Sequence, residues 1–160
     1  MIVVDKVLKL LENDARLTKA QLAVLLGISE EEAAKKVAAL EDAGVICGYQ
    51  AVVDWDRTER EYVTALIELR VTPKKDSGFD KLAETIMKFE EVESVCLMSG
   101  GFDLMVMVNG RSFKDVAMFV AKRLSTLESV VSTATHFVLR RYKDRNILFV
   151  QEEKDEREAL

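Results

Sequence analysis

The stretch TKAQLAVLLGISEEEAAKKVAALEDAGVI, residues 18–46, decides how the first third of the chain folds. Thr18-Lys19-Ala20-Gln21 reads as a capping box, in which the Thr18 hydroxyl and the Gln21 amide each satisfy an orphan backbone donor. Leu22, Leu25 and Leu26 give the following helix an apolar face, and Gly27 ends it where a left-handed residue is needed. Ile28 fills the turn, and Ser29-Glu30-Glu31-Glu32 is a second capping box. The helix it opens carries Ala33, Val37 and Leu40 at helical spacing and stops at Gly44. Upstream, Val4, Val7, Leu8 and Leu11 recur at i, i+3, i+4 and i+7, an earlier amphipathic helix. A helix–glycine turn–helix pair resting on an earlier helix is how a protein presents one helix to the DNA major groove. Three helices of an ordinary bundle would leave the same pattern.

Composition bounds what the rest can be. At 160 residues and 49% apolar content, the chain suits one or two small domains with real cores. No apolar run is long enough to span a bilayer, and the start, Met1-Ile2-Val3-Val4-Asp5, lacks the basic region of a signal peptide. Cys47 and Cys96 stand alone, without metal-ligand spacing, so a reduced pair in a cytoplasmic protein is expected, with no metal and no cofactor. His136 is the sole histidine, which argues against a histidine metal site or catalytic triad. The net charge is -5. Residues 1–60 hold eight basic against eleven acidic side chains, and the remainder fifteen against seventeen, so neither part is basic. DNA binding would therefore need a local patch built from few residues.

Past Gly44, residues 45–53 are β-rich and broken by Gly48, as expected of a small wing or hairpin. Residues 54–61 are polar and read as a linker, with Trp55 as a packing anchor. Val63, Ala65, Ile67, Leu69 and Val71 then alternate with more polar residues, a strand closed by Pro73. Ser77 caps a helix striped by Phe79, Leu82, Ala83, Ile86 and Phe89. Residues 92–98 and 104–108 are strands, Ser112 opens a helix facing inward through Phe113, Val116, Ala117, Val120 and Leu124, and 130–139 is a last strand. The order β-α-β-β-α-β is the ferredoxin-like plan, two helices over one sheet face, so the chain as a whole is α+β. Met98, Met105, Met107, Phe137 and Leu139 cannot all point at those helices, and a second subunit is the simplest cover for the other face. The expected organisation is a helix-turn-helix domain at 1–53, the linker at 54–61, a ferredoxin-like domain at 62–143 and a tail at 144–160.

Between the second and third strands lies Met98-Ser99-Gly100-Gly101-Phe102-Asp103-Leu104. Gly-Gly between apolar strands makes a hairpin turn, and a bare turn is one reading. The other uses the bare amides of Gly100 and Gly101 as donors to a carboxylate and Asp103 as acceptor from an ammonium, a pairing that suits a free amino acid.

Taken together, the pattern resembles the Lrp/AsnC, or feast/famine, transcriptional regulators over residues 2–142. Its markers are Leu10-Leu11-Glu12-Asn13-Asp14-Ala15-Arg16, Leu22-Ala23, Gly27-Ile28-Ser29, Val37 to Leu40, Gly44-Val45-Ile46, Gly48-Tyr49, the Gly-Gly-Phe-Asp turn and Thr133-Ala134-Thr135. Each is weak singly; their order and spacing together are specific. The resemblance implies a winged helix-turn-helix followed by a RAM-type ligand-sensing domain, dimers assembling to octamers or larger rings, and an amino acid or related metabolite as effector. It implies that Gly100, Phe102 and Asp103, joined by Gly101, help form the effector site, with the Thr133 and Thr135 hydroxyls as further candidates. No catalytic residue is implied.

The chain departs from the family on its recognition helix. Glu30, Glu31 and Glu32 occupy the first turn, and Ala34, Ala38 and Ala39 stand where the family commonly has basic residues. Candidate contacts to double-stranded DNA are reduced to Lys35 and Lys36, Ser29 at the helix start, Lys19 and Gln21 on the preceding helix, and Arg16 before it. Modest, strongly salt-dependent binding per dimer is expected. Two other readings are a metabolite-sensing oligomer whose DNA-binding half has decayed, and an enzyme like the sirohaem decarboxylases, which resemble this fold, using His136 with Arg140 or Arg141.

Overall fold

The computed structural model describes residues 3–73 and 78–149, with side chains from Lys6 onward. Ser77 and the side chain of Val4 lie outside the described residues. The chain divides into two compact units between Val52 and Val53.

The first unit holds helices α1 (Val3–Asn13), α2 (Lys19–Leu26) and α3 (Glu30–Asp42). The Thr18 capping box forms in both directions: the Gln21 N–H donates to Thr18 Oγ1 at 3.2 Å, and the Thr18 N–H to Gln21 Oε1 at 2.8 Å. The second box forms by half. Ser29 Oγ accepts from the Glu32 N–H at 3.1 Å, but the Glu32 carboxylate turns forward to Lys36, 3.4 Å away, a charged partner one turn on. Both α2 and α3 end in one motif. Ile28 and Gly27 donate to the carbonyls of Ala23 and Val24, as Val45 and Gly44 donate to those of Leu40 and Glu41. This needs a left-handed residue, supplied by Gly27 (φ 69°) and Gly44 (φ 66°).

The core of this unit is Val7, Leu11, Leu22, Ala23, Ala33, Val37 and Leu40. Leu25, expected on the inner face of α2, is 57% exposed, and Ala23 is buried instead. A step of about 100° per residue puts Leu22, Ala23 and Leu26 on one arc and carries Leu25 off it. Residues 45–53, expected as a small wing or hairpin, carry no strand among the described residues. They are tied instead to the end of α3, where the Tyr49 hydroxyl donates to Glu41 Oε1 at 2.8 Å. Burial, and then the bond to and charge of Glu41, raise the Tyr49 pKa and keep it a donor.

The second unit opens with a short turn, Trp55–Arg57, in which Trp55 packs on Tyr62 (centroids 5.4 Å apart) with Arg60 over its ring. Then come β1 (Val63–Val71), α4 (Asp80–Ile86), β2 (Val92–Leu97), β3 (Leu104–Gly110), α5 (Phe113–Phe119) and β4 (Val130–Phe137). The sheet runs β2-β3-β1-β4 with every neighbour antiparallel, the ferredoxin-like order. Ala65, Ile67, Leu69 and Val71 of β1 and Leu104, Val106 and Val108 of β3 bury against Ile86, Val116, Phe119, Val120 and Leu124. Each such aliphatic side chain contributes about 1.5–3 kcal/mol relative to exposure.

Alternation then sends Leu66, Met105 and Met107 to the opposite face, where they stay half-buried. Of the five residues that cannot all face the helices, Phe137 is one that does. It stands opposite Ala65, on the helix face, edge-to-face with Phe113 at 4.8 Å. Past α5 the helix widens to a π-type turn over Val120–Leu124, closed by Ser125 N–H donating to the Val120 carbonyl. The inward stripe of α5 itself differs from the expected one: Phe119 is buried, whereas Phe113 and Ala117, expected inward, are exposed. Finally, β5 (Lys143–Asp144) and β6 (Ile147–Leu148) form a hairpin where the sequence suggested only a tail. Among the described residues no helix is long and apolar enough to cross a membrane.

Candidate DNA-binding helix and effector turn

With Ala33, Val37 and Leu40 turned inward, α3 exposes Glu30, Glu31, Lys35, Ala38 and Ala39. Its two lysines are already partnered along the helix, Lys35 with Glu31 at 2.7 Å and Lys36 with Glu32 at 3.4 Å. The pairs are exposed enough to be worth only about 0–1 kcal/mol each. A phosphate oxygen can therefore replace either carboxylate at little cost. The first-turn carboxylates also stabilise the helix through its dipole. Ser29 and Gln21 are committed to caps. Arg16 and Lys19 are exposed, in the α1–α2 turn and at the first position of α2.

The turn at 98–103 is more than a bare turn. The Asp103 carbonyl accepts from the Met98 N–H at 2.8 Å, and the Asp103 N–H donates to the Leu69 carbonyl at 2.9 Å. Its carboxylate Oδ2 accepts from the Val71 N–H at 2.8 Å, beside the register shift between Arg70 and Val71 where β1 slips against β4. So Asp103 has a structural task that the sequence did not reveal: it clamps the hairpin to an amide of β1 that lies past the last β1–β3 pair, Leu69–Leu104. A carboxylate has about four acceptor sites, so this does not exhaust it. Gly100 and Gly101 are exposed, and a Cβ built on either meets nothing within 4 Å. Phe102 is half-buried.

Thr133 and Thr135 face the same side of β4, as expected, but it is the helix side: they stand opposite Leu69 and Ile67. Thr133 Oγ1 lies 3.5 Å from Ser125 Oγ. On the other face, His136 Nε2 meets Glu68 Oε1 at 3.2 Å, while Arg141 is taken by Asp144 at 3.2 Å.

At the far end of β3 from this turn opens a groove of about 690 Å³, whose lining includes Arg60, Glu91, Asn109, Arg111, Asp115 and Arg123. Arg123 lies 4.2 Å over the Phe89 ring and 3.3 Å from Glu91 Oε1, whose second oxygen is buried without a partner. Sequence reasoning missed Arg123 because the π-type turn that sets its direction has no sequence signature.

The helix pair and the sheet with its turn define a two-unit regulator, one unit for DNA and one for a ligand. Residues 6–46 match the winged helix-turn-helix DNA-binding domain, and residues 64–148 the Lrp/AsnC ligand binding domain. The chain is 44% identical over 153 residues to the uncharacterized HTH-type transcriptional regulator YugG of Bacillus subtilis, covering 95% of this chain and 92% of that one. Its fold is similar to that of AsnC from E. coli (TM-score 0.70, 23% identity, 92% and 98% of the two chains). It is also similar to a Neisseria meningitidis transcriptional regulator, NMB0573, solved with L-Met (TM-score 0.73, 24% identity, 90% and 92%). The chain belongs to the Lrp/AsnC family of transcriptional regulators.

Proposed function

We propose that the protein is a cytoplasmic regulator that binds duplex DNA through α3 and takes a free amino acid at the Gly100–Asp103 turn, as a homodimer or larger assembly. The carrying observation is the turn itself. Two exposed glycines place bare amides beside a carboxylate that is held in position by the Val71 N–H and still has acceptor capacity. Amides suit an α-carboxylate, and Asp103 suits an α-ammonium. The Neisseria regulator, solved with an amino acid, supports the ligand class. Lys35 and Lys36, with Arg16 and Lys19, would contact phosphates; Ser29 and Gln21 would contribute by orienting their helices. Thr133, level with Leu104 at the turn's end of the sheet, and Thr135, two residues farther from the turn, are secondary candidates for the effector.

The test is a thermal-shift screen of the common amino acids, followed by calorimetry on variants. Asp103→Ala would also strip the Val71 amide of its acceptor, so Asp103→Asn is the sharper change. It keeps an oxygen for that amide and removes the charge. Losing a charge-assisted bond of about 1.5–3 kcal/mol should weaken amino acid binding about ten- to a hundredfold, with the melting temperature of the unliganded protein nearly unchanged. Gly101→Ala should fold normally, since its backbone is not in the left-handed region and its Cβ meets open space, yet lose affinity by crowding the ligand. Unaltered binding by Asp103→Asn would reduce the turn to a turn. Binding lost instead on Arg123→Ala would place the effector in the groove.

A further inference from the structure

Beyond β4 the chain reads Arg140-Arg141-Tyr142-Lys143-Asp144-Arg145-Asn146-Ile147, four basic residues against one acid. No other eight-residue stretch outside this segment and the residues leading into it is as positive. The segment folds back on itself around Arg145 (φ 42°) and Asn146 (φ 67°), the two positive-φ positions of a tight hairpin turn. The Phe149 N–H donates to the Tyr142 carbonyl at 3.0 Å, adding a rung below the ladder. Arg141 is used within this ribbon, bonded to Asp144 and set against the Phe149 ring. Arg140 and Lys143 point into solvent. The Arg140 guanidinium lies 5.1 Å from the Tyr142 ring centroid, a stacking contact that uses the face of the group and leaves its in-plane donors available. Ile147 and Leu148, opposite Asp144 and Lys143, are exposed and uncharged, so the second strand does not neutralise the first.

The helix-turn-helix unit is poor in just this resource. Residues 1–52 hold six basic against eight acidic side chains, and the two lysines of α3 carry their own carboxylates. Affinity for duplex DNA grows with the number of phosphates neutralised, and α3 alone offers few. We propose that the β5–β6 ribbon, through Arg140 and Lys143, is a second DNA-contacting surface that grips the phosphodiester backbone without reading sequence. This rests on the DNA-binding reading above. Phosphate contacts from a paired ribbon add affinity uniformly, while α3 supplies discrimination. Residues 150–160 carry five acidic against two basic side chains, so comparisons are made with the parent chain, which has the same tail.

The test is fluorescence anisotropy of the full chain over a salt series, on its own upstream duplex and on a shuffled duplex of equal length. Arg140→Ala/Lys143→Ala should weaken both duplexes alike and flatten the log–log salt slope by about 1.8 per ribbon engaged, at about 0.9 per phosphate contact. The preference for the upstream duplex and the oligomer size should not move, and Arg140→Lys/Lys143→Arg should restore the slope. A slope equal to the parent's overturns the proposal. If Lys35→Glu/Lys36→Glu still abolishes binding in that case, the reading of α3 stands. A change of oligomer size in the ribbon variant makes the ribbon a subunit contact and overturns the proposal. A parent chain that binds neither duplex overturns the proposal together with the DNA-binding reading.

Discussion

Lys35→Glu/Lys36→Glu is expected to abolish preferential binding of the upstream duplex, with helix content and oligomer size intact. The double change turns two positive charges on α3 into two negative ones. It also places them one turn from Glu31 and Glu32, the carboxylates they now pair with. Like charges at that spacing repel by only a few tenths of a kcal/mol in an exposed helix, so the fold survives while the charged side chains of α3 become all acidic. The converse change is as informative. Glu31→Gln/Glu32→Gln releases both lysines and removes two charges that repel phosphates. It should tighten binding about tenfold and steepen the salt slope, because each lysine then neutralises a phosphate that salt must compete for. Gel shifts at two salt concentrations suffice. Binding indifferent to both pairs would remove α3 from the mechanism and leave a ligand-sensing oligomer without direct DNA contact.

Met107→Asp is expected to split the assembly. Met107 stands on β3 between Leu66 and Ser94, on the sheet face away from α4 and α5. With Leu66 and Met105 it makes a half-buried apolar strip beside the Glu68–His136 pair. If a second subunit closes this face, the new carboxylate is buried without a partner. A cost on the order of 3 kcal/mol raises the dimer dissociation constant about a hundredfold. The domain core lies on the other face, in Ile67, Leu69, Val106 and Val108, so the circular dichroism of the variant should match the parent. Met107→Leu should assemble normally. Light scattering at micromolar concentration decides it, and a parent chain that runs as a monomer refutes the buried face.

The features legible in the sequence were those with a local cause. The Thr18 box, Gly27 and Gly44 act over one helical turn, and the β-α-β-β-α-β order follows from periodicity, so each could be read without knowing what packs where. What failed depended on partners distant in sequence. Residues 45–53 have strand-like composition but form no strand among the described residues. The sequence leaves open which of the five apolar residues face the helices, and for Phe137 the register with Ala65, more than seventy residues earlier, decides it. The stripe of α5 buries Phe119 in place of Phe113 and Ala117, because the sheet residues it packs on, Val106 and Val108, are set by the strand pairing and not by the helix's own pattern. Within the candidate site, the two glycines and Asp103 stood out as a motif. The Asp103–Val71 clamp could not be foreseen, because it joins residues more than thirty positions apart, past the end of the β1–β3 ladder.

That clamp has a consequence for solvent exchange. The Val71 N–H sits where the β1–β4 ladder slips, and its acceptor is a side chain that a bound ammonium would also claim. An amide held only by a carboxylate exchanges its proton each time that carboxylate swings away. An effector that fixes Asp103 would slow the exchange, while the neighbouring Leu69 carbonyl bond to the Asp103 N–H should tighten with it. A single backbone deuterium at Val71 thus becomes a gauge of occupancy at the turn, readable in the full assembly without touching the ligand.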